Sequence, residues 1–217
     1  VAIATKPLID ASIRLAGAEP LRKVATKLAA RLDKLGNSTG PVPVTLDTLL
    51  ATAFAGFKDD LSEESRHAAQ AALQTVTTEL GPLPLVRTGI FFQEPASIGK
   101  TAGQWLSLVI NPDACKGCGL CVAECEPEAL TALPPTPQQL AQAHKLWKTW
   151  EQLPDTPGAT IERAGQDARV RPLTALLLSR HFSQALAGGD GAEAGSAEKL
   201  ALRWVLAIAE SRQQPLV

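Results

Sequence analysis

The chain has 217 residues, enough for one ordinary domain or two small ones, either able to bury an apolar core without a metal or disulfide staple. Its formal net charge is −1, with acidic and basic side chains interleaved, so no footprint for nucleic acid or anionic lipid is expected. No apolar run approaches the roughly 20 residues of a membrane-spanning helix, and the start lacks the basic-then-apolar order of a secretory signal. A soluble cytoplasmic setting with no membrane partner is expected. The sequence begins at Val1, contains no Met and ends at Val217 soon after a helical pattern, and reads as a segment of a longer polypeptide.

From Glu19 to Leu35 apolar residues recur at three- and four-residue intervals (Leu21, Val24, Ala25, Leu28, Ala29, Leu32), predicting an amphipathic helix that Gly36 stops. After turn chemistry over Asn37 to Pro43, Leu46 to Phe57 predicts a short helix closed by Gly56. Asp60 with Glu63 makes a capping pair for a long helix through Leu80, with Ala68, Ala69, Ala72, Leu73 and Val76 as its buried stripe. Gly81 and Pro82 end it. Pro82 to Gly103 reads as an irregular connector and as the domain boundary.

Trp105 to Ile110 predicts a short strand leading through the turn Asn111-Pro112-Asp113 to Cys115, with Ala129 to Leu133 as its partner strand. Pro134 and Pro135 close that unit. Thr136, Pro137 and Gln139 then start a helix ending near Leu153, followed by a loop from Pro154 to Gln166. Pro172 opens a helix to Ala187 with Leu173, Leu176, Leu177 and Phe182 on its apolar face, and Gly188 and Gly189 terminate it. A last helix begins near Ser196 and runs through Ile208.

All four cysteines fall in one window, Cys115-Lys-Gly-Cys118-Gly-Leu-Cys121-Val-Ala-Glu-Cys125, separated by two, two and three residues. Thiols so crowded make poor disulfide staples but suit a metal, which favours a reducing compartment. A cubane iron–sulfur cluster needs thiolates on a loop wrapped closely round a compact body, with backbone N–H groups aimed at sulfur, and Gly117 and Gly119 fit that wrap. Structural zinc normally takes two separated pairs of ligands, which this spacing does not supply. In the bacterial ferredoxin pattern the fourth cysteine of such a run ligates the other cluster of a two-cluster module, yet this chain has no further cysteine. Either Cys125 completes the same 4Fe-4S cluster, or a partner segment supplies the ligand, or three thiols hold a 3Fe-4S cluster.

The stretch Leu106 to Leu130, L-S-L-V-I-N-P-D-A-C-K-G-C-G-L-C-V-A-E-C-E-P-E-A-L, resembles the second cluster motif in the ferredoxin-like domain of pyruvate:ferredoxin oxidoreductases and the wider 2-oxoacid:acceptor oxidoreductases. Ser179-Arg-His-Phe followed by Gly188-Gly-Asp-Gly-Ala-Glu-Ala-Gly-Ser-Ala-Glu198 is similar to the entry to that family's thiamine diphosphate domain. There the family reads G-A-C-A-G-C-G-E, but Glu193 and Ser196 stand at the cysteine positions here. The first ferredoxin motif is also absent upstream of Cys115, and Pro127 is displaced by one residue.

The element patterns together with the resemblance predict an α+β, mostly helical chain with a small ferredoxin-like β-hairpin and loop unit holding the cluster. It divides into a helical segment with its connector (1–103), a cluster unit (104–135) and a helical segment resembling the thiamine diphosphate entry (136–217). The resemblance further implies an electron-transfer segment of a 2-oxoacid:ferredoxin oxidoreductase without catalytic residues of its own. Cys115, Cys118, Cys121 and Cys125 are the candidate ligands, and thiamine diphosphate belongs to the rest of a larger protein. The implied partners are other domains or subunits of that protein and ferredoxin or another electron carrier. The alternative is a structural or interaction segment whose metal, iron–sulfur or zinc, only stabilises the fold. His67, His144 and His181, and the tryptophans Trp105, Trp147, Trp150 and Trp204, read as packed or solvent-facing residues. Gly188 to Gly195 and Gly99-Lys100-Thr101 lack the spacing of nucleotide-binding loops.

Overall fold

The computed structural model describes residues 1–39, 42, 44–115, 117–185, 201–202 and 204–209. Most of them are helical, and one two-stranded antiparallel sheet completes an α+β architecture. β1 (Ala2–Ala4) pairs with β2 (Gln104–Leu106) in the register Ala2 to Leu106, Ile3 to Trp105 and Ala4 to Gln104. Side chains alternate across a strand, so the two faces of this small sheet serve two cores. Ile3 and Trp105 enter the larger cluster, whereas Ala2 and Leu106 pack with Phe91, Ala164 and Ala175 on the other side.

The larger core is built by α1 (Thr5–Ala16), α2 (Ala25–Gly36), α3 (Leu46–Ala55) and α4 (Glu63–Leu80). α1 packs on α2 and α4, and α3 packs on the same two helices. The single helix expected over Glu19–Leu35 is split, because Pro20 lies in a 3-10 turn over Glu19–Val24 that feeds α2. α3 ends at Gly56 as its pattern indicates. α4 is capped by Ser62, whose hydroxyl accepts from Ser65 N–H at 3.3 Å, while Asp60 lies in the preceding turn. Ala69, Ala72, Val76 and Leu80 form its buried stripe; Ala68 faces solvent.

Residues 82–103 fold into the core instead of lying over it. Leu83, Leu85 and Phe92 are fully buried, and a π-helical turn Gly89–Gln93 runs into α5 (Glu94–Ile98). The Phe92 ring sits 4.7 Å from that of Trp105 and fits only because two glycines make room. A Cβ at Gly36 would stand 2.0 Å from Phe92 Cζ, and one at Gly103 2.9 Å from Phe92 Cδ1.

The partner expected for β2, Ala129 to Leu133, forms no strand; the opening residues of the chain take that place. Ala2 and Ile3 are fully buried, and Ser107 N–H donates to Val1 O at 2.8 Å, extending the ladder. Leu106 also exchanges two hydrogen bonds with Val86 on its other side, at 2.7 and 3.0 Å.

Beyond the sheet, α7 (Pro137–Glu151) lies against α4, and α8 (Gly158–Gln166) packs on α9 (Pro172–Ala175). The stretch expected as a loop from Pro154 to Gln166 thus contains a helix. The helix expected from Pro172 onward is interrupted at Ser179, after which α10 (Arg180–Ala185) resumes. The expected helix stop at Gly188 and start at Ser196 lie outside the described residues, and 201–202 and 204–209 are helical.

Trp105→Ala is expected to cost about 3–5 kcal/mol, and Gly36→Ala about 1–3 kcal/mol through overpacking against Phe92, both read by urea unfolding. A second expectation concerns Asp33. Burial holds its carboxyl above the ordinary carboxylate range, against the smaller opposing effect of the hydrogen bond from Thr5. The charged form is therefore disfavoured in the fold, and that penalty is absent in acid and accrues as pH rises through the raised pKa. The stability gained by Asp33→Asn should grow between about pH 3 and about pH 6 in unfolding curves taken across that range.

Candidate iron–sulfur site

The chain leaves the core at Ser107. Its carbonyl accepts from the Val1 nitrogen at 3.0 Å and from Trp150 Nε1 at 3.4 Å, so the last residue before the cysteine segment is held from two sides. Val109 still packs on the main core, but Leu108 and Ile110 turn outward. Asn111 then folds the expected turn: its side-chain oxygen accepts from Asp113 N–H at 3.0 Å, and its carbonyl from Cys115 N–H at 3.0 Å. An Asx turn of this kind satisfies the backbone locally and needs no strand partner.

Gly117 (φ 66°) and Gly119 (φ 74°) both take left-handed backbone angles with no atom within 4 Å of a would-be Cβ. The space a cluster's wrap requires is therefore open at both positions. Gly119 caps a single helical turn, α6 (Leu120–Ala123). Cys121 lies within this turn, and Cys125 follows it, its N–H donating to the Val122 carbonyl at 3.2 Å.

Cys115, Cys118 and Cys121 are exposed and Cys125 is half-buried. Among the described residues no three His, Cys, Asp or Glu side chains stand together as a finished metal cage. The donor set nevertheless suits an iron–sulfur cluster: four thiols, two open left-handed glycines, and a backbone N–H, that of Ala129, already 3.3 Å from Cys125 Sγ.

The far end of the loop is pinned by α7. Thr136 and Gln139 form a reciprocal capping box, with Thr136 N–H donating to Gln139 Oε1 at 2.8 Å and Gln139 N–H to Thr136 Oγ1 at 3.2 Å. Between the two ends, His144 Nδ1 on α7 stands 3.6 Å from Asp113 Oδ2, two residues ahead of Cys115. The sequence reads His144 as packed or solvent-facing, and nothing in the spacing of the two residues announces that α7 brings it to Asp113. His67 sits on the exposed face of α4 beside Glu63. His181 N–H donates to Ser179 Oγ at 3.2 Å, in the segment after the break in the helix. Trp147 and Trp150 stack at 5.0 Å on one face of α7, and Trp105 is core.

Residues 108–131 match the family of the 4Fe-4S binding domain. The match takes in all four cysteines and supports a 4Fe-4S cluster, metal binding and a role in electron transfer at this segment. No curated protein and no solved structure matches the chain. Of the second stretch of resemblance, Ser179 to Phe182 is described, whereas Gly188 to Glu198 lies outside the described residues. Among the described residues no helix is long and apolar enough to cross a membrane.

Because the capping box fixes the return of the 4Fe-4S binding segment to the body, Thr136→Ala is expected to cost about 1 kcal/mol. Urea unfolding checks the cost, and faster proteolysis within 108–135 checks that the loop has been freed.

Proposed function

We propose that Cys115, Cys118, Cys121 and Cys125 hold one 4Fe-4S cluster and that the chain is an electron-transfer segment of a larger oxidoreductase of the 2-oxoacid:ferredoxin kind. The cluster part of the reading is carried by the match over 108–131, which coincides with a loop that exposes Cys115, Cys118 and Cys121 and turns at two left-handed glycines, while the 2-oxoacid part rests on the resemblance of Leu106–Leu130 and Gly188–Glu198. Such a cluster, when bound, accepts and gives up single electrons. The residues of this chain supply its position. Asn111 and Asp113 bring Cys115 out of the core, Gly117 and Gly119 allow the wrap, and α6 carries Cys121 and leads into Cys125.

The division into a helical part (1–103), a cluster unit (104–135) and a second helical part (136–217) belongs to this proposal. So do ferredoxin or another electron carrier as partner and a cytoplasmic setting. Thiamine diphosphate, in this reading, is held by other parts of the larger protein, and no residue of this chain is assigned to it.

Anaerobically prepared protein is expected to be brown, to contain iron and acid-labile sulfide in equal amounts, and to bleach with dithionite while gaining a paramagnetic signal. Cys118→Ser should lose most of the iron. An iron-free, zinc-containing product that dithionite leaves unchanged would overturn the proposal in favour of a structural metal.

A further inference from the structure

Two non-glycine residues have a positive φ among those described, and one of them, Glu128 (φ 50°), follows the cysteine run directly. For an L-residue with a side chain this conformation is unfavourable, and Glu has no short polar group to offset it locally. Such a residue persists where its surroundings over-determine it, and it is commonly found at functional sites. What it achieves is visible in the hydrogen bonds. Glu128 N–H donates to the Cys125 carbonyl at 2.8 Å, which closes the turn after α6. The left-handed step at Glu128 then turns the next peptide, and Ala129 N–H points at Cys125 Sγ, 3.3 Å away.

Neighbouring features leave that amide as the donor. Pro127 has no N–H to give, and Glu126 N–H is already directed to the Glu124 carbonyl at 3.2 Å. Cys125 is also the half-buried member of an otherwise exposed set. Sequestration and a backbone donor thus meet at the one thiol whose role as a cluster ligand the spacing leaves open.

The geometry points to Glu128 as a positioning residue: its left-handed turn aims the Ala129 amide at the Cys125 sulfur and thereby sets the reduction potential and retention of the cluster. The inference rests on the reading of Cys125 as a ligand. An N–H aimed at a ligating sulfur favours the reduced, more negative cluster and raises its potential. Glu128 acts through its backbone, so its carboxylate is dispensable.

The test compares Glu128→Gly, which adopts the left-handed turn freely, with Glu128→Val, a β-branched residue that resists it. Both remove the same charge, so any difference between them reports the turn. The full chain is loaded anaerobically, titrated with dithionite by visible absorbance, and examined by electron paramagnetic resonance. Relative to Glu128→Gly, Glu128→Val should have a more negative midpoint and release iron faster to a chelator, with more of the oxidised three-iron signal. Equal midpoints and equal iron retention in the two variants would overturn the inference. Should Glu128→Val fail to fold by circular dichroism, Glu128→Ala takes its place, with a smaller shift of the same sign expected. Wild-type protein that holds no iron at all would defeat the proposed function itself, an outcome distinct from equal behaviour of the variants.

Discussion

A buried indole brings one N–H that must find an acceptor, and at Trp105 meeting that need ties three parts of the chain together. Trp105 Nε1 donates to Thr5 Oγ1 at 3.2 Å, and Thr5 in turn donates to the Asp33 carboxylate. β2 is thereby joined to the start of α1 and to the last turn of α2. Phe92 covers the ring from the side, on the space left by Gly36 and Gly103. Two residues on, the Ser107 carbonyl accepts from both the Val1 nitrogen and Trp150, where the cysteine segment leaves the body.

The second face of the sheet is settled by small and polar residues. Thr156 Oγ1 accepts from Ala2 N–H at 2.8 Å and donates to the Leu178 carbonyl at 2.7 Å, so the outer edge of β1 is sealed by a side chain. Gln104 and Thr160 exchange a hydrogen bond in the same layer. A buried polar network pays its desolvation cost only when its members are satisfied, and these pairs fulfil that condition.

Those contacts explain what could be read from the sequence and what could not. α2, α3, α4 and α7 carry their own punctuation, a helical period with Gly56, Gly81 or the Thr136-Pro137-Gln139 start. Their information is local. β1 is three residues long and shows no alternation to read, and its pairing with β2 spans almost half the chain. α8 escapes because its buried positions are Thr160 and Ala164, not large apolar side chains. At the site, the cysteine spacing and the Asn111 turn are sequence properties. The approach of His144 and the left-handed turn at Glu128 are not, since one depends on how α7 packs and the other on a backbone angle that glutamate rarely adopts.

Both ends of the cysteine segment are fixed by residues outside it, Ser107 by the body and Thr136 by the cap of α7. The core, by contrast, draws almost nothing from within 110–135: Leu120, Leu130 and Leu133 are all exposed. Folding and metallation are therefore separable events. The body would form first, presenting the loop as an open receptacle with three of its four cysteines exposed. A donor delivering iron and sulfide would then meet a finished scaffold, and loss of the cluster would empty the receptacle without dissolving the protein that carries it.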